Sequence, residues 1–517
     1  MNTLVVGIII ILYLAVIALL GYLGYKRTKN ASDYLLGGRR TNSIILALSY
    51  GSTFISASAI VGFGGVAATF GMGIQWLCML NILVGVIIAF IFFGRRTRRL
   101  GEAYKAHTFP QLLGLHYKSR ATQVIIALVI VIGMPLYTAV VMKGGAVFVE
   151  QMFSIDYNIA LLVFTLIVAA YVISGGIKSV MYTDAFQAII MFLCMLFLLV
   201  GFYRLIGMNF TEANRELAGM AHLVPERFQA IGHQGWTRMP VSGSPQWYTL
   251  VTSLILGVGI GCLAQPQLAV RFMMVKSAKQ LNQGVLIGSL FILVSVGTIY
   301  HVGPLSNIYF LKTEGKVAAD LVQDMDKIIP YFINNAMPQW FGAFFMLCIL
   351  SASMSTLSAL FHTMGSAFGN DIFTKIGRHK NQQSSLGPRI GVLIAILVSY
   401  IICYTLSAGI IARGTALFMG VCAATFLPAY FCSLYWKKTT RHGALASMCS
   451  GLFVSLFCML FLHRAEAAPV GLCRLLTGND VLINVYPWYA IDPIVFALPV
   501  SIIVIIAVSK IQLGIKN

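Results

Sequence analysis

The chain has 517 residues, of which 58% are hydrophobic and 10% charged, and its mean hydropathy is +0.85. This composition excludes a soluble globular domain and is typical of a protein that crosses the lipid bilayer many times. The formal net charge of +20 does not indicate nucleic-acid binding, because the basic residues lie in short loops between apolar runs. It indicates insertion topology and contact with anionic lipid instead.

Apolar runs of roughly 20 residues predict about thirteen transmembrane helices, so we expect a single all-α membrane domain over residues 1–517. The first run is too long for the core of a signal peptide, and no basic segment precedes it, so a cleaved leader is not expected. In chain order, the predicted spans are 4–25, 43–70, 74–93, 123–148, 159–173, 183–203, 248–270, 281–301, 340–368, 390–406, 410–434, 444–462 and 494–508.

The distribution of charge predicts the direction of the helices. An odd number of spans places the two termini on opposite sides, and most of the 36 Lys and Arg residues share one side if the N-terminus is outside. The densest basic cluster consists of Arg95, Arg96, Arg98 and Arg99. The positive-inside rule therefore predicts an external N-terminus and a cytoplasmic C-terminus in a bacterial inner membrane. The long loops 207–247 and 303–339 are then external, either as a cap over the helices or as linkers.

Two spans contain more glycine than a helix interior normally tolerates. They are 43–70, which is also rich in hydroxyls, and 248–270, which ends in Gln265-Pro266. Five spans separate their starts, as in transporters built from inverted five-helix repeats whose broken first helices hold substrate and ions. We therefore predict core repeats at about 43–205 and 248–436. The remaining helices, 4–25, 444–462 and 494–508, are predicted to be peripheral. Close helix packing through glycine is the alternative explanation.

Five hydroxyls occur within eight residues of one apolar span, from Ser351 to Ser358. Ser351, Ser355 and Ser358 share a helical face, and neutral oxygens at membrane depth suit a desolvated cation. Serines also let helices pack closely and hydrogen-bond to each other, which is the alternative for this segment.

Two charged residues fall at or inside spans. Asp184 enters the membrane at the start of a span, where it either relays a cation or, with Thr183, caps the helix that follows. Lys143 lies within the fourth span. It either pairs with a substrate carboxylate, or extends to the interface or to Glu150.

Four segments resemble the signatures of one transporter family. Gly175-Gly176, followed by Tyr182-Thr183-Asp184 and Gln187, is similar to the G-G-x5-W-T-D-x2-Q motif of the sodium:solute symporter family. This family includes bacterial proline, pantothenate, monocarboxylate, sialic acid and sugar symporters. The other matching segments, in the same order as in the family, are Asp33–Arg39, Thr108–Gln111 and Gln265–Met273. The resemblance implies a neurotransmitter:sodium-symporter-like core.

The resemblance also implies a sodium site. The family's two backbone carbonyls at the break in the second span match Ser52 and Ile55. Its ligands on the ninth span match Ala352, Ser355 and Thr356. Some members have a second sodium site one turn inward, which here would use Asp184 and Ser358 together with Ser355.

The solute pocket differs from that of the proline carriers. Phe54 stands where they have an acid, and Val258 and Cys262 stand where they have aromatic residues, whereas Tyr137 matches a tyrosine near their substrate. The residues predicted to bind the solute are Tyr137, Lys143, Ser56, Ser58, Gly261 and Gln265.

These observations predict a sodium-coupled secondary active symporter that imports a small organic solute by alternating access. A carboxylate-bearing nutrient, either a monocarboxylate or an amino acid, is the expected solute. Na⁺ is the expected coupling ion without an organic cofactor, and the protein is expected to be a monomer or a weak oligomer. A membrane sensor without transport and a proton-coupled carrier are the alternatives. An enzyme is not expected, because no nucleophile with a base, and no metal cluster, occurs at usable spacing.

Overall fold

The computed structural model describes residues 3–26, 35–39, 41–174, 177–373 and 386–514, and within these ranges it contains helices and no β-strand. Gly175-Gly176 and the first two residues of the Asp33–Arg39 segment lie outside the described residues. The principal helices are α1 (Thr3–Lys26), α2 (Ser43–Phe54), α3 (Ser58–Phe70), α4 (Met72–Ala103), α5 (Phe109–His116), α6 (Arg120–Phe153), α7 (Tyr157–Ser174), α8 (Ile177–Ile206), α9 (Phe210–Gly219), α10 (Pro245–Ala264), α11 (Pro266–Phe272), α12 (Ala278–Glu314), α13 (Met325–Ala336), α14 (Gln339–Phe373), α15 (Leu386–Cys403), α16 (Ile411–Tyr435), α17 (Arg441–Leu462) and α18 (Ile494–Gly514).

The number of helices that cross the membrane is close to the predicted one. Ten described helices are long and apolar enough to span a bilayer, or eleven if the bent pair α2 and α3 counts as one span. The apolar stretches Tyr157–Ala169 and Gly387–Cys403 are shorter. The exact number of thirteen spans and the division into two inverted repeats therefore stay predictions.

The helices differ in how much of their surface the rest of the protein covers. Among the residues of its most apolar window, α14 is 89% buried and α16 is 78% buried. The corresponding values are 17% for α1 and 28% for both α17 and α18. The hydroxyl-rich helix α14 therefore lies at the centre of the bundle, while α1, α17 and α18 lie at its periphery.

The first broken helix consists of α2 and α3, which meet at an angle of 57°. The Asn42 side chain caps the start of α2 by accepting the Ile45 N–H. At the other end, Ile55 is extended (φ −90°, ψ 98°), so the helical ladder stops after Phe54. Ser56 and Ala57 connect the halves, and Gly144 of α6 packs against Ala57. A Cβ on that glycine would lie 3.3 Å from the Ala57 Cβ, so α6 approaches the break closely.

The second broken helix consists of α10 and α11. Gln265 is extended between them (φ −74°, ψ 116°), and Pro266 begins α11. Proline has no N–H to continue the ladder of the preceding helix but is well suited to start a new one. The predicted break at Gln265-Pro266 therefore has a direct backbone cause.

Two connecting segments cover the Phe70 end of α3. Trp236 donates from its indole N–H to the Ala68 carbonyl at 2.9 Å, and a His233 ring nitrogen lies 3.0 Å from the Thr69 carbonyl. On α13, Met325 contacts α3 so closely that a Cβ on Gly65 would lie 1.9 Å from the Met325 carbonyl oxygen. Both long connections are thus packed as a cap on this end of the bundle, which we call the loop face.

Candidate functional site

Helix α14 meets α2 next to the break through hydroxyl groups. The Ser355 hydroxyl donates to the Ser52 carbonyl at 2.9 Å and to the Ala352 carbonyl at 3.2 Å. The Thr356 hydroxyl donates to the Thr53 carbonyl at 3.0 Å and lies 3.5 Å from the Ser52 oxygen. Ala352, Ser355 and Thr356 share one helical face because they are three and four residues apart. Four of the five residues predicted for a sodium site are therefore together.

The fifth, Ile55, lies where the ladder is interrupted. In a continuous helix the Ala59 N–H would bond to the Ile55 carbonyl, but here it donates to the Ser56 carbonyl at 3.0 Å. The break thus takes the Ile55 carbonyl out of the helical ladder, only three residues from the Ser52 carbonyl.

The oxygens at this junction are all neutral, and the residues that carry them are buried. Hard monovalent cations prefer such carbonyl and hydroxyl oxygens, which bind them weakly enough for release. No carboxylate contacts Ser355 or Thr356 in the described part of the chain, and a divalent cation normally needs one. The set of donors therefore fits Na⁺.

A buried ion pair also contacts α2. Arg271 of α11 pairs with Asp184 of α8 at 2.7 Å, and the two side chains are 1% and 0% exposed. The Asp184 carboxylate also accepts the hydroxyls of Ser49 at 2.8 Å and Thr53 at 3.2 Å. Arg271 donates to the same two hydroxyls and to the Gln267 carbonyl. One ion pair therefore joins α2, α8 and α11.

Asp184 does not cap a helix. Helix α8 is already formed at Ile177, so Asp184 lies within it, and Thr183 donates to the carbonyls of Ser179 and Val180. The alternative of an N-terminal cap is therefore wrong. One carboxylate oxygen, Oδ2, makes the contacts described above, whereas Oδ1 is buried and has no hydrogen-bond partner among the described residues.

Ser358, the other residue predicted for a second cation, donates to the Ser355 carbonyl at 3.0 Å. Asp184 meets α2 and α11 through its contacts with Ser49, Thr53 and Arg271. The structure therefore links Ser358 to the first junction through Ser355, and it gives Asp184 a guanidinium partner.

Three of the residues predicted to bind the solute, Tyr137, Ser56 and Ser58, form one group at the first break. The Tyr137 hydroxyl on α6 lies beside the Ser56 hydroxyl, and the Tyr137 ring stacks on Phe418 with centroids 5.3 Å apart. Ser58 is buried, and its hydroxyl has no hydrogen-bond partner among the described residues. These hydroxyls can orient a polar solute.

Gly261 and Gln265 form a second group at the other break. A Cβ on Gly261 would lie 2.5 Å from the Met419 carbonyl oxygen, so this glycine permits close contact between α10 and α16. The Gln265 amide donates to the Gly261 carbonyl at 3.3 Å, and the Cys422 side chain lies beside Gln265. The second break thus contacts α16 at Met419, and Tyr137, beside the first break, contacts α16 at Phe418.

Lys143 lies apart from both groups. Its Nζ donates to the carbonyls of Leu406 at 3.1 Å and Ser407 at 2.6 Å, after the end of α15. Glu150, which the sequence offered as a partner, pairs with Lys327 at 2.9 Å instead. The structure therefore uses this lysine to bind backbone carbonyls near the loop face.

Two residues that organise this region, Arg271 and Tyr13, were not predicted from the sequence. Arg271 was read only as part of a matching segment, although an arginine among Leu268, Val270 and Phe272 at the end of a span is itself a signal of a buried pair. Tyr13 of α1 accepts the Ser351 hydroxyl at 3.1 Å and the Gln187 amide at 3.0 Å. A tyrosine in an apolar peripheral helix gives no sequence signal of that kind.

Comparison with known proteins finds relatives along most of the chain. The model of the sodium:solute symporter family matches residues 34–451. Sodium/proline symporter 2 of Staphylococcus saprophyticus is 28% identical over 457 residues, which cover 86% of this chain and 84% of that protein. A sodium/proline symporter of Staphylococcus aureus is 28% identical over 462 residues, with the same coverage.

Solved structures share the fold. A Na⁺-coupled sialic acid symporter in a substrate-bound, outward-open state superposes with a TM-score of 0.76 and 16% identity, over 98% of this chain and 97% of that one. A nucleobase-cation-symport-1 family transporter, closed around bromovinylhydantoin, gives a TM-score of 0.51 and 13% identity, with coverage of 93% and 96%. The helical arrangement described above is therefore a known transporter fold.

Proposed function

Since the chain belongs to the sodium:solute symporter family, we propose that it is a multi-pass inner-membrane protein that couples Na⁺ entry to import of a small organic solute. The observation that carries this proposal is the junction of α2 and α14. There two hydroxyls and the nearby carbonyls meet beside a break in a helix, with no charged group among them.

Coupling follows from the position of this junction. Ser52 and Ile55 lie on α2 and at the break, whereas Ala352, Ser355 and Thr356 lie on the central helix α14. A Na⁺ held by both helices would fix the break relative to α14. The hydroxyls of Ser56, Ser58 and Tyr137 at the same break would then be placed for the solute. Binding of one ligand would thereby raise the affinity for the other, which is what coupled transport requires.

We propose a carboxylate-bearing nutrient, either an amino acid or a monocarboxylate, as the solute. The curated relatives are sodium/proline symporters, and proline carries a carboxylate. The hydroxyls at the first break are neutral donors of the kind that bind a carboxylate. The replacement of the carriers' acid by Phe54 makes proline itself a poor expectation for this pocket. Lys143 has no direct role in this proposal, because its Nζ is bound to the backbone carbonyls of Leu406 and Ser407.

A second cation site at Asp184 is a further part of the proposal. Its support is the buried Oδ1 atom without a hydrogen-bond partner, beside the Ser49 and Thr53 hydroxyls. Arg271 already supplies a positive charge to this carboxylate, so a second Na⁺ would have to share it or displace the guanidinium.

Reconstituted vesicles test the function. We expect the purified protein to accumulate a radiolabelled carboxylate or amino acid under an inward Na⁺ gradient. Accumulation driven by a proton gradient alone would establish proton coupling instead. Saturable Na⁺-dependent solute binding without uptake would establish a sensor.

Substitutions at the junction test the site. We expect Ser355→Ala and Thr356→Ala each to raise the Na⁺ concentration for half-maximal uptake about tenfold or more, as loss of one contact to a charged group implies. Ser353→Ala is the matched control, because Ser353 is equally buried on the same helix but lies next to Gly145 of α6. An unchanged Na⁺ dependence in both junction variants would remove these residues from the site.

A further inference from the structure

A basic cavity opens between α4 and α16, at the end of the bundle opposite the loop face. It has a volume of 690 Å³, and its charged lining consists of Arg95, Arg96 and Arg99. Its apolar lining includes Ile91, Phe92 and Leu100. The cavity is separate from both helix breaks and has no part in the proposed transport mechanism.

The position of the cavity along α4 corresponds to the boundary of the bilayer. Helix α4 is apolar as far as Phe93 and Gly94, and the arginines follow at once. Phe92 is 52% exposed and is directed out of the protein. Arginines placed directly after the apolar part of a span lie at the depth of lipid headgroups.

Among the described residues, the three arginines have no acidic counter-ion. Arg95 and Arg99 are four residues apart on one helical face, where like charges repel. The only acid of this helix, Glu102, pairs with Arg98 at 3.3 Å. In the described part of the chain, no carboxylate forms an ion pair with Arg95, Arg96 or Arg99.

Neutral groups hold two of the arginines in place. Arg96 donates to the Leu434 carbonyl at 2.7 Å, and its guanidinium lies 3.8 Å from the centroid of the Tyr435 ring. Arg95 donates to the Asn282 side-chain oxygen at 2.9 and 2.6 Å. These contacts position the positive charges without neutralising them, so the cavity remains suited to an anion.

From this geometry we propose that the cavity binds an anionic phospholipid. Its phosphate lies between Arg95 and Arg99, and its acyl chains follow the exposed apolar side of α4 at Phe92. The charge of the cavity selects the anionic headgroup, and the apolar wall at the bilayer boundary selects a lipid over a soluble anion. Bound there, the lipid joins α4 to the end of α16 that Arg96 already contacts.

The proposal is tested by titrating the full-length protein in detergent with phosphatidylglycerol and with phosphatidylcholine, followed by native mass spectrometry. We expect phosphatidylglycerol to bind and phosphatidylcholine not to bind. Arg95→Gln/Arg99→Gln should weaken phosphatidylglycerol binding about thirtyfold, the equivalent of ~1 kcal/mol for each charge. Ala103→Trp fills the cavity without changing its charge and should also abolish binding.

The control is Lys437→Gln/Lys438→Gln, which removes the same charge from exposed positions just after α16 that do not line the cavity. It should bind phosphatidylglycerol like the unmodified protein. Equal loss in the control would show attraction to the whole basic surface and overturn the proposal. Unchanged binding in the arginine or tryptophan variant would also overturn the proposal. A parallel titration with glycerol phosphate distinguishes a lipid site from a site for soluble anions, and binding as tight as that of phosphatidylglycerol would overturn the proposal as well. Thermal unfolding of each variant establishes that it is folded.

Discussion

The two halves of the first broken helix are held by different chemistry. Helix α2 is fixed by charge, because Ser49 and Thr53 bond to the buried pair of Asp184 and Arg271. Helix α3 is fixed by close contact, because Gly65 lies against the Met325 carbonyl of α13. A directional ion pair allows few alternative positions, whereas the glycine contact between α3 and α13 can slide or separate without breaking a hydrogen bond between these two helices. The α3 side is therefore the better suited to open and close.

The largest effect on stability is expected when the ion pair that holds α2 is broken. Arg271→Met leaves Asp184 as an unpaired buried charge and should destabilise the protein by about 3–5 kcal/mol in thermal or denaturant unfolding. The double variant Asp184→Asn/Arg271→Met removes both charges and should recover much of that loss. If the double variant were no more stable than the single one, the ion pair would not be what holds α2.

Disturbing the contact between α3 and α13 should lower stability less. In Gly65→Ala the new Cβ meets the Met325 carbonyl, so α13 must move, and we expect a loss of about 1–3 kcal/mol in the free energy of unfolding. The matched control is Gly133→Ala on α6, where the nearest atom would lie at an ordinary 3.6 Å. A loss in Gly133→Ala as large as in Gly65→Ala would contradict the close contact between α3 and α13.

Stability should also depend on pH through Asp326, which follows Met325 on α13. Burial and the neighbouring Asp324 raise the pKa of Asp326 on α13 from 3.8 to about 7, although Lys143 opposes the change. Between pH of about 4 and 7 the folded protein keeps a proton that the unfolded chain releases. The free energy of unfolding should therefore fall as pH rises through this range, by about 1.4 kcal/mol per unit, and level off above it.

Asp326→Asn should remove this part of the pH dependence, measured as unfolding free energy at several pH values. Glu314→Gln, at the exposed end of α12, is the control and should keep the slope. Equal slopes in Asp326→Asn and the unmodified protein would show that this carboxyl group does not titrate in that range.

Much of this arrangement could be predicted from local sequence. Hydropathy located the apolar helices, and Gln265-Pro266 located a break, because both depend on residues adjacent in the chain. Asp184 was recognised because an acid in a span is unusual. Its partner Arg271 is 87 residues away and could not be paired with it from one sequence. For the same reason the contact between Gly65 and Met325 was not predicted, since a glycine in a helix does not reveal what approaches it.

The hydroxyls of Ser355 and Thr356 have a consequence for the return of an unloaded carrier. Each of them donates its proton to a carbonyl of α2, and these two hydrogen bonds join α2 and α14. A cation at this junction would turn both protons away and replace two hydrogen bonds by coordination. The binding free energy of the cation is then the difference between its coordination and the two hydrogen bonds that it replaces. This difference keeps its affinity moderate. Under the proposed function, the Ser355 and Thr356 hydroxyls would keep these carbonyl partners when no cation is bound, so the return of the carrier would not leave them unpaired.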